Sequence, residues 1–242
     1  MTGFFGECAA RPLVAGHRGY KAKYPENTML SCRKARELGV DMLEIDLRLS
    51  RDGQLVLMHD AAIDRTTNGH GRVESFTLAQ LQGFDAGMGE RIPAFEEFLD
   101  WAHTTNLFLN VEIKTKTHEA VDKAVALLER YRMLGPSVIA CFDANITEYA
   151  CRQHGAKTQG FPRHNMKHFK RNSYDFLYSV GIEMRDLTPA LVDSFNGRGI
   201  QPWCWCPDTP EEVERMRACG ATLCTCNDPV PAMGMLRAGI II

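Results

Sequence analysis

The 242-residue sequence has no run of the ~20 apolar residues that a membrane span requires, and no basic stretch leads into an apolar one near Glu7. A transmembrane segment and a cleavable leader are therefore not expected, and the expected compartment is cytoplasmic. A basic excess is also missing: 28 Lys and Arg stand against 30 Asp and Glu, for a net charge of -2. That argues against a nucleic-acid partner, whose binding domain carries a clear positive balance. No cysteine framework is visible, because nine cysteines are an odd number scattered along a long chain, a pattern of reduced thiols. Ser/Gly-rich linkers, low-complexity blocks and long charge runs are absent as well. The expectation is one domain over residues 1–242, with 45% apolar residues to build its core.

Short apolar runs alternate with helical patterns. Candidate strands are Leu13–His17, Met42–Leu47, Leu55–His59, Leu107–Ile113, Val138–Phe142, Lys157–Phe161, Val180–Met184, Pro202–Cys206 and Thr222–Cys226. Helical periodicity is clearest around Ala120, Val121, Ala124, Val125, Leu127, Leu128 and Tyr131. Thr188-Pro189 and Thr209-Pro210 each read as an N-cap followed by proline in the first turn. Such alternation implies a parallel sheet, and the length suits a closed (β/α)8 barrel of the TIM type, at roughly 250 residues. The nine candidates exceed eight by one. Only a short link around Asp52-Gly53 joins Met42–Leu47 to Leu55–His59, too short for a parallel crossover. The second of these is expected to fold back as a hairpin arm, with Asp46 opposite His59. Residues 61–89, with five glycines and few apolar runs, are expected to form a small insertion over the C-terminal face.

Catalytic side chains of such barrels come from the C-terminal ends of the strands. Here those ends read Gly16-His17-Arg18-Gly19, Glu44-Ile45-Asp46 and Asn110-Val111-Glu112-Ile113-Lys114. The strand period of two puts Glu44 and Asp46 on one face, and Asn110, Glu112 and Lys114 on one face. Three converging carboxylates repel unless a cation joins them, and an all-oxygen set selects one hard divalent ion, Mg²⁺ or Ca²⁺. His17 and His59 flanking that point suit general acid and base work near neutral pH. Arg18 and Lys114 add fixed positive charge for a phosphate group.

GHRG, YPENT, LEIDLRLSRDGQLVLMHD, IPAFEEFL and NVEIK, followed in order by VIACFD, PWCWCPD and GATLCTCNDP, resemble the glycerophosphodiester phosphodiesterase family over nearly the whole chain. The resemblance implies a TIM barrel with a small insertion after the second histidine. It implies Glu44, Asp46 and Glu112 as metal ligands, His17 and His59 as the acid/base pair, and Arg18 and Lys114 as phosphate contacts. The implied substrate is a small glycerophosphodiester, cleaved to glycerol 3-phosphate and an alcohol. Thr28 reads as the N-cap of the first helix, with Glu26 and Asn27 bracing the histidine loop or touching substrate. The family patterns W-T-V-N and T-D-x-P read Trp205-Cys206-Pro207-Asp208 and Cys226-Asn227-Asp228-Pro229 here, which bears on the wall of the alcohol pocket. Trp205 is expected to line that pocket.

A lysophospholipase D or sphingomyelinase D-like activity would share the core residues, but the full PENT motif favours the glycerol ester. A silent phosphate-binding paralogue would lack some catalytic group, and none is missing. Cys204/Cys206 and Cys224/Cys226 have C-x-C spacing rather than that of zinc sites; each pair is expected to share one face of its strand, with Cys204 and Cys206 packing outward against helices. Arg163–Arg171 holds four cations, two histidines and no acid. It is expected on the catalytic face, first as a solvated helix face, and on the sharper reading as an electrostatic funnel or a weak contact for an anionic membrane surface.

Overall fold

The computed structural model describes residues 11–237. Eight parallel strands close on themselves: β1 (Leu13–His17), β2 (Met42–Leu49), β4 (Phe108–Ile113), β5 (Ser137–Ala140), β6 (Thr158–Gly160), β7 (Ser179–Glu183), β8 (Gln201–Trp205) and β9 (Leu223–Cys226). The ring is sealed where β1 pairs with both β2 and β9. Helices α1 (Met29–Glu37), α3 (Phe95–Ala102), α4 (His118–Arg130), α5 (Ala144–His154), α6 (Pro189–Asn196), α7 (Pro210–Ala218) and α8 (Val230–Arg237) form the outer layer, and the one-turn α2 (Leu78–Leu81) lies in the insertion. Their starts are chemically marked. Thr28, Thr117, Thr188 and Thr209 each accept an N-terminal backbone N–H, and proline follows the last two.

The period of two along each strand sorts the side chains into two cores. Leu43, Ile45 and Leu47 of β2 face outward with Leu109, Val111 and Ile113 of β4, under the apolar stripe of α4. The alternate residues point to the axis. Leu13, Ala15, Met42, Val138, Trp203 and Leu223 pack into an apolar floor, with Phe108 and Tyr178 against it. The next inward positions up the same strands are His17, Glu44, Asn110, Ala140, Trp205 and Thr225. The barrel is thus plugged below, and its polar residues stand in the mouth.

β3 (Leu55–Leu57) is antiparallel to β2, as the hairpin reading requires, but its register differs by one residue. Leu47 faces Leu57 and Leu49 faces Leu55, so Asp46 lies opposite Met58, not His59. The cause is the turn. Ser50 N–H bonds Gln54 O at 2.9 Å and Gly53 takes φ +71°. This makes a three-residue loop with a left-handed glycine rather than a two-residue turn centred between Asp52 and Gly53. His59 lies beyond the strand end, where Arg48 Nε and Nη2 both donate to its carbonyl at 2.9 and 2.7 Å.

Residues 61–89 have a small core of their own. Ile63, Val73, Leu81 and Ala86 pack with Val56, Met58 and Ile92, and Thr77 and Gln80 form a capping box on α2. No residue of 61–89 lines the barrel cavity; the segment reaches the mouth through Arg65. At the seam between β1 and β2, Asp41 accepts from Arg11 at 2.8 and 3.0 Å, from Val14 N at 2.9 Å and from Arg237 at 2.7 Å.

Candidate active site

Register decides which side chains meet. β1 sets His17 beside Glu44, and β4 sets Asn110 beside Glu44 and Glu112 beside Asp46. Carboxylate oxygens of Glu44, Asp46 and Glu112 lie within 4.8 Å of one another, all buried. Among the described residues no other group of three or more His, Cys, Asp or Glu side chains is so placed. Burial, then Asp46 and Glu112, push the Glu44 carboxyl well above the ordinary range. Glu112 is raised by burial and by Asp46, against the pull of Lys114. Burial would raise Asp46 too, but Lys114, Arg18, His59 and the Asn27 amide outweigh it and hold Asp46 low.

Two cations border the acids. Arg18 Nε lies 3.1 Å from Asp46 Oδ2, and its Nη1 donates to Glu26 Oε1 at 2.9 Å. Lys114 Nζ lies 2.5 Å from Glu112 Oε1 and 3.3 Å from Asp46 Oδ1. Arg18 sits at φ +54°, and its N–H donates to Glu44 Oε2 at 3.0 Å. Gly19 follows at φ +83°, and a Cβ there would meet Ser31 Oγ at 2.4 Å. The glycine is therefore required where α1 closes on the histidine loop.

Asn27 does not line the cavity. It exchanges two hydrogen bonds with Asp46, donating Nδ2 to Oδ2 at 2.8 Å and accepting Asp46 N–H at 3.2 Å. Glu26 is likewise held back, bonded to Arg18 and to both Nη atoms of Arg65.

The histidines approach from different elements. His17 ends β1, and its Nε2 lies 3.7 Å from Glu44 Oε2. Burial, then Arg18 and Lys21, lower its pKa to about 3. His59 ends the hairpin arm and is half-buried. Its Nδ1 bonds Asp60 Oδ1 at 2.6 Å, and Arg65 Nε holds the other Asp60 oxygen at 2.6 Å. Its pKa is also lowered, first by burial, while Asp46 and Asp60 oppose the shift.

Trp205 lines the cavity, and its indole Nε1 has no hydrogen-bond partner among the described residues; the same holds for Asn110 Oδ1. Sequence reasoning missed Phe142 and Phe161, which stack at 3.4 Å between ring centres and also line the cavity. Both follow strand ends, a position that could have flagged them. It also misplaced Cys206 and Asn227. Cys206 does not pack outward: lying just past β8, its Sγ is 3.4 Å from His17 Nδ1. Asn227 Oδ1 is 2.6 Å from the same nitrogen, so the departures at 206 and 227 touch a histidine rather than only an alcohol-pocket wall. Cys204, Cys224 and Cys226 are buried in the outer core, the first against Met184 Sδ at 3.1 Å.

Arg163–Arg171 follows β6 and lies beside the cavity wall, with Lys167 N bonded to Phe142 O at 2.8 Å. Asp186, Asp143 and Glu148 pair with His164, His168 and Lys170. Arg163, Lys167 and Arg171 have no ion pair among the described residues.

The sequence model of the glycerophosphoryl diester phosphodiesterase family matches residues 17–230. The chain belongs to this family. Membership places it among the phosphoric diester hydrolases. It is 29% identical over 256 residues to a glycerophosphodiester phosphodiesterase of Caldanaerobacter subterraneus subsp. tengcongensis, covering 95% of this chain and 99% of that one. It is 26% identical over 243 residues to glycerophosphodiester phosphodiesterase 1 of Homo sapiens, covering 84% and 73%. Its fold is that of an Oleispira antarctica phosphodiesterase solved with the product sn-glycerol-3-phosphate, with TM-score 0.86, 21% identity, and coverage of 96% and 98%. Among the described residues no helix is long and apolar enough to cross a membrane.

Proposed function

We propose that this chain hydrolyses small glycerophosphodiesters to glycerol 3-phosphate and an alcohol, with one divalent cation, Mg²⁺ or Ca²⁺, held by Glu44, Asp46 and Glu112. The charge balance of the mouth carries the reading. Three carboxylates against Arg18 and Lys114 leave a formal −1, which would repel a phosphodiester monoanion. A divalent cation turns this to +1, and the bound monoanion then brings the site to neutrality. The donor set fits such an ion: it is all oxygen, buried, and contains a glutamate whose proton affinity its neighbours raise. Once bound, the ion would supply Lewis-acid stabilisation of charge on the phosphoryl oxygens.

The remaining chemistry belongs to side chains. Arg18 and Lys114 orient the phosphoryl group and neutralise charge developing on it. One histidine takes a proton from the attacking water, and the other gives a proton to the departing alkoxide, which leaves as the alcohol. Asn27 holds Asp46 by both its side chain and its backbone N–H, so this carboxylate cannot turn away. Phe142, Phe161 and Trp205 wall the cavity and exclude water from one side.

The test is release of glycerol 3-phosphate from glycerophosphocholine, measured with and without exhaustive chelation. Turnover that disappears on chelation and returns with Mg²⁺ or Ca²⁺ is expected. Unchanged turnover after chelation would remove the metal from the reading. A preference for lysophosphatidylcholine would favour the acylated-substrate alternative.

A further inference from the structure

Asp208, Asn227 and His17 form a line of short contacts that the acid/base reading does not use. Asn227 Nδ2 donates to Asp208 Oδ2 at 2.6 Å, and Asn227 Oδ1 lies 2.6 Å from His17 Nδ1. We propose that Asn227, held in one orientation by Asp208, is a positioning residue that keeps the proton of neutral His17 on Nδ1 and leaves the Nε2 lone pair facing the reacting groups. This rests on the reading that His17 is one of the two proton-transfer groups.

The direction of each bond follows from donor inventory. A carboxylate with N–H donors on both oxygens can only accept. Asp208 Oδ1 takes the backbone N–H groups of Asn227 and Asp228 at 2.7 and 3.0 Å, and its Oδ2 takes the Asn227 amide. Turning that amide over would set its oxygen against the carboxylate, so its Oδ1 must face the histidine. An amide oxygen at 2.6 Å requires a donor, and the only one His17 offers there is Nδ1–H. A neutral imidazole protonated at Nδ1 has an unprotonated Nε2. Nε2 is the nitrogen beside Glu44, so His17 begins the cycle able to accept a proton there, not to give one.

The relay is anchored in the outer layer. Glu212 of α7 accepts the backbone N–H groups of Asp208 and Thr209 at 2.9 and 3.1 Å, within the capping box that starts the helix. Asp208 therefore stands on a helix terminus, and Asn227 stands one residue past β9. Among the described residues, Cys206 Sγ, at 3.4 Å from Nδ1, is the one other hydrogen-bonding group at that nitrogen and makes the longer contact. Asp208 and Asn227 are two of the five positions at which this chain departs from the W-T-V-N and T-D-x-P patterns, the others being Cys206, Pro207 and Cys226. At these two the change is reciprocal: an acid stands for the amide, and an amide for the acid.

The experiment uses the full chain with ¹⁵N-labelled histidine. Long-range ¹H–¹⁵N spectra at fixed neutral pH would be assigned to His17 by the peaks lost in His17→Gln. Pyrrole-type Nδ1 and pyridine-type Nε2 are expected in the unaltered chain. Asn227→Leu should lose that tautomer preference and lower kcat by ~10–100-fold, as loss of a histidine's outer partner does, with KM little changed. Asp208→Asn frees the Asn227 amide to turn and should give a mixture of tautomers without removing any side chain. Asp208→Asn combined with Asn227→Asp should restore both the Nδ1–H tautomer and most of the lost kcat, because an amide again donates to an acid, and the acid at position 227 takes over from the amide as acceptor for His17. An Nε2–H tautomer in the unaltered chain would overturn the inference, as would a tautomer that follows Cys206→Ala instead of Asn227→Leu. The spectra decide whether or not glycerophosphodiesters are turned over, so failure of the hydrolase reading is seen separately.

Discussion

Replacing Glu44 by glutamine should make the protein more stable without a divalent cation and less stable with one. The oxygens of Glu44, Asp46 and Glu112 lie within 4.8 Å of one another. Two unit charges at that separation repel by ~3.5 kcal/mol at an effective dielectric of about 20. Arg18 and Lys114 offset part of this, and Arg18 N–H can still donate to a glutamine Oε. The net gain on neutralising Glu44 in the cation-free protein is therefore about 1–3 kcal/mol. For a chain of this size that raises Tm by roughly 2–4 °C per kcal/mol. The unaltered protein, in turn, should gain ~2.7 kcal/mol from cation at a hundredfold excess over Kd, or roughly 5–11 °C. Glu44→Gln should lose most of that gain, since two carboxylates make a poorer site than three. The assay is a thermal melt of both proteins in chelator and across a Mg²⁺ or Ca²⁺ titration, read by near-ultraviolet circular dichroism. The melting curves should cross as the cation is added. A chelated variant less stable than the chelated parent, or a parent indifferent to both cations, would refute the electrostatic account of the mouth.

Three further outcomes follow from other parts of the structure. His17→Ala and His59→Ala should each lose ~10²–10⁴-fold in kcat, and a nitrophenyl ester, which needs no acid to leave, should rescue only the variant lacking the general acid; equal rescue of both would end the division of roles. Reversing Lys167 and Arg171, two of the three cations of the basic segment without an ion pair among the described residues, should lower kcat/KM by about threefold to tenfold at low salt and spare kcat. That deficit should fade as the screening length shrinks toward ~8 Å, and no low-salt deficit would make the segment plain surface. Burial alone would raise the Asp41 carboxyl, but the Arg11 fork, Val14 N–H and Arg237 outweigh it and hold Asp41 below the ordinary range. Its stabilisation is thus fully present above an unfolded value of ~3.9 and lost as pH falls through the lower folded value. Asp41→Asn should cost about 1–3 kcal/mol in urea unfolding at neutral pH, with the gap to the parent closing only below about pH 4; a gap that persists unchanged to lower pH would contradict the assignment.

What could be read from the sequence was whatever depends on local geometry. The two-residue period of β2 and β4 is enough to place Glu44, Asp46, Asn110, Glu112 and Lys114 on inward faces. The Thr-Pro pairs mark helix starts by chemistry within four residues. The hairpin shows where local reading stops. Asp52-Gly53 suits both a two-residue and a three-residue turn, and the pairing of Ser50 with Gln54 decides between them through contacts that composition does not encode. The relay behind His17 was hidden for another reason. Asp208 and Asn227 are separated by a helix and a strand, and become neighbours of residue 17 only because β8, β9 and β1 lie side by side once the ring closes. Phe142 and Phe161 are related in the same way, across β5 and β6.

The two histidines are built on unequal foundations. His17 belongs to a barrel strand, with its ring clamped from behind by groups at the ends of two adjacent strands. His59 belongs to an arm outside the ring, and its support runs through Asp60 and Arg65 into the segment 61–89, which has its own small core. On the proposed acid/base reading, changes in that segment would reach His59 directly through Arg65 and Asp60, and His17 more remotely through the Arg65–Glu26–Arg18 contacts. If the proposed division of roles holds, evolution or design can retune the side of the reaction that His59 serves by editing an accessory module, without rebuilding the barrel.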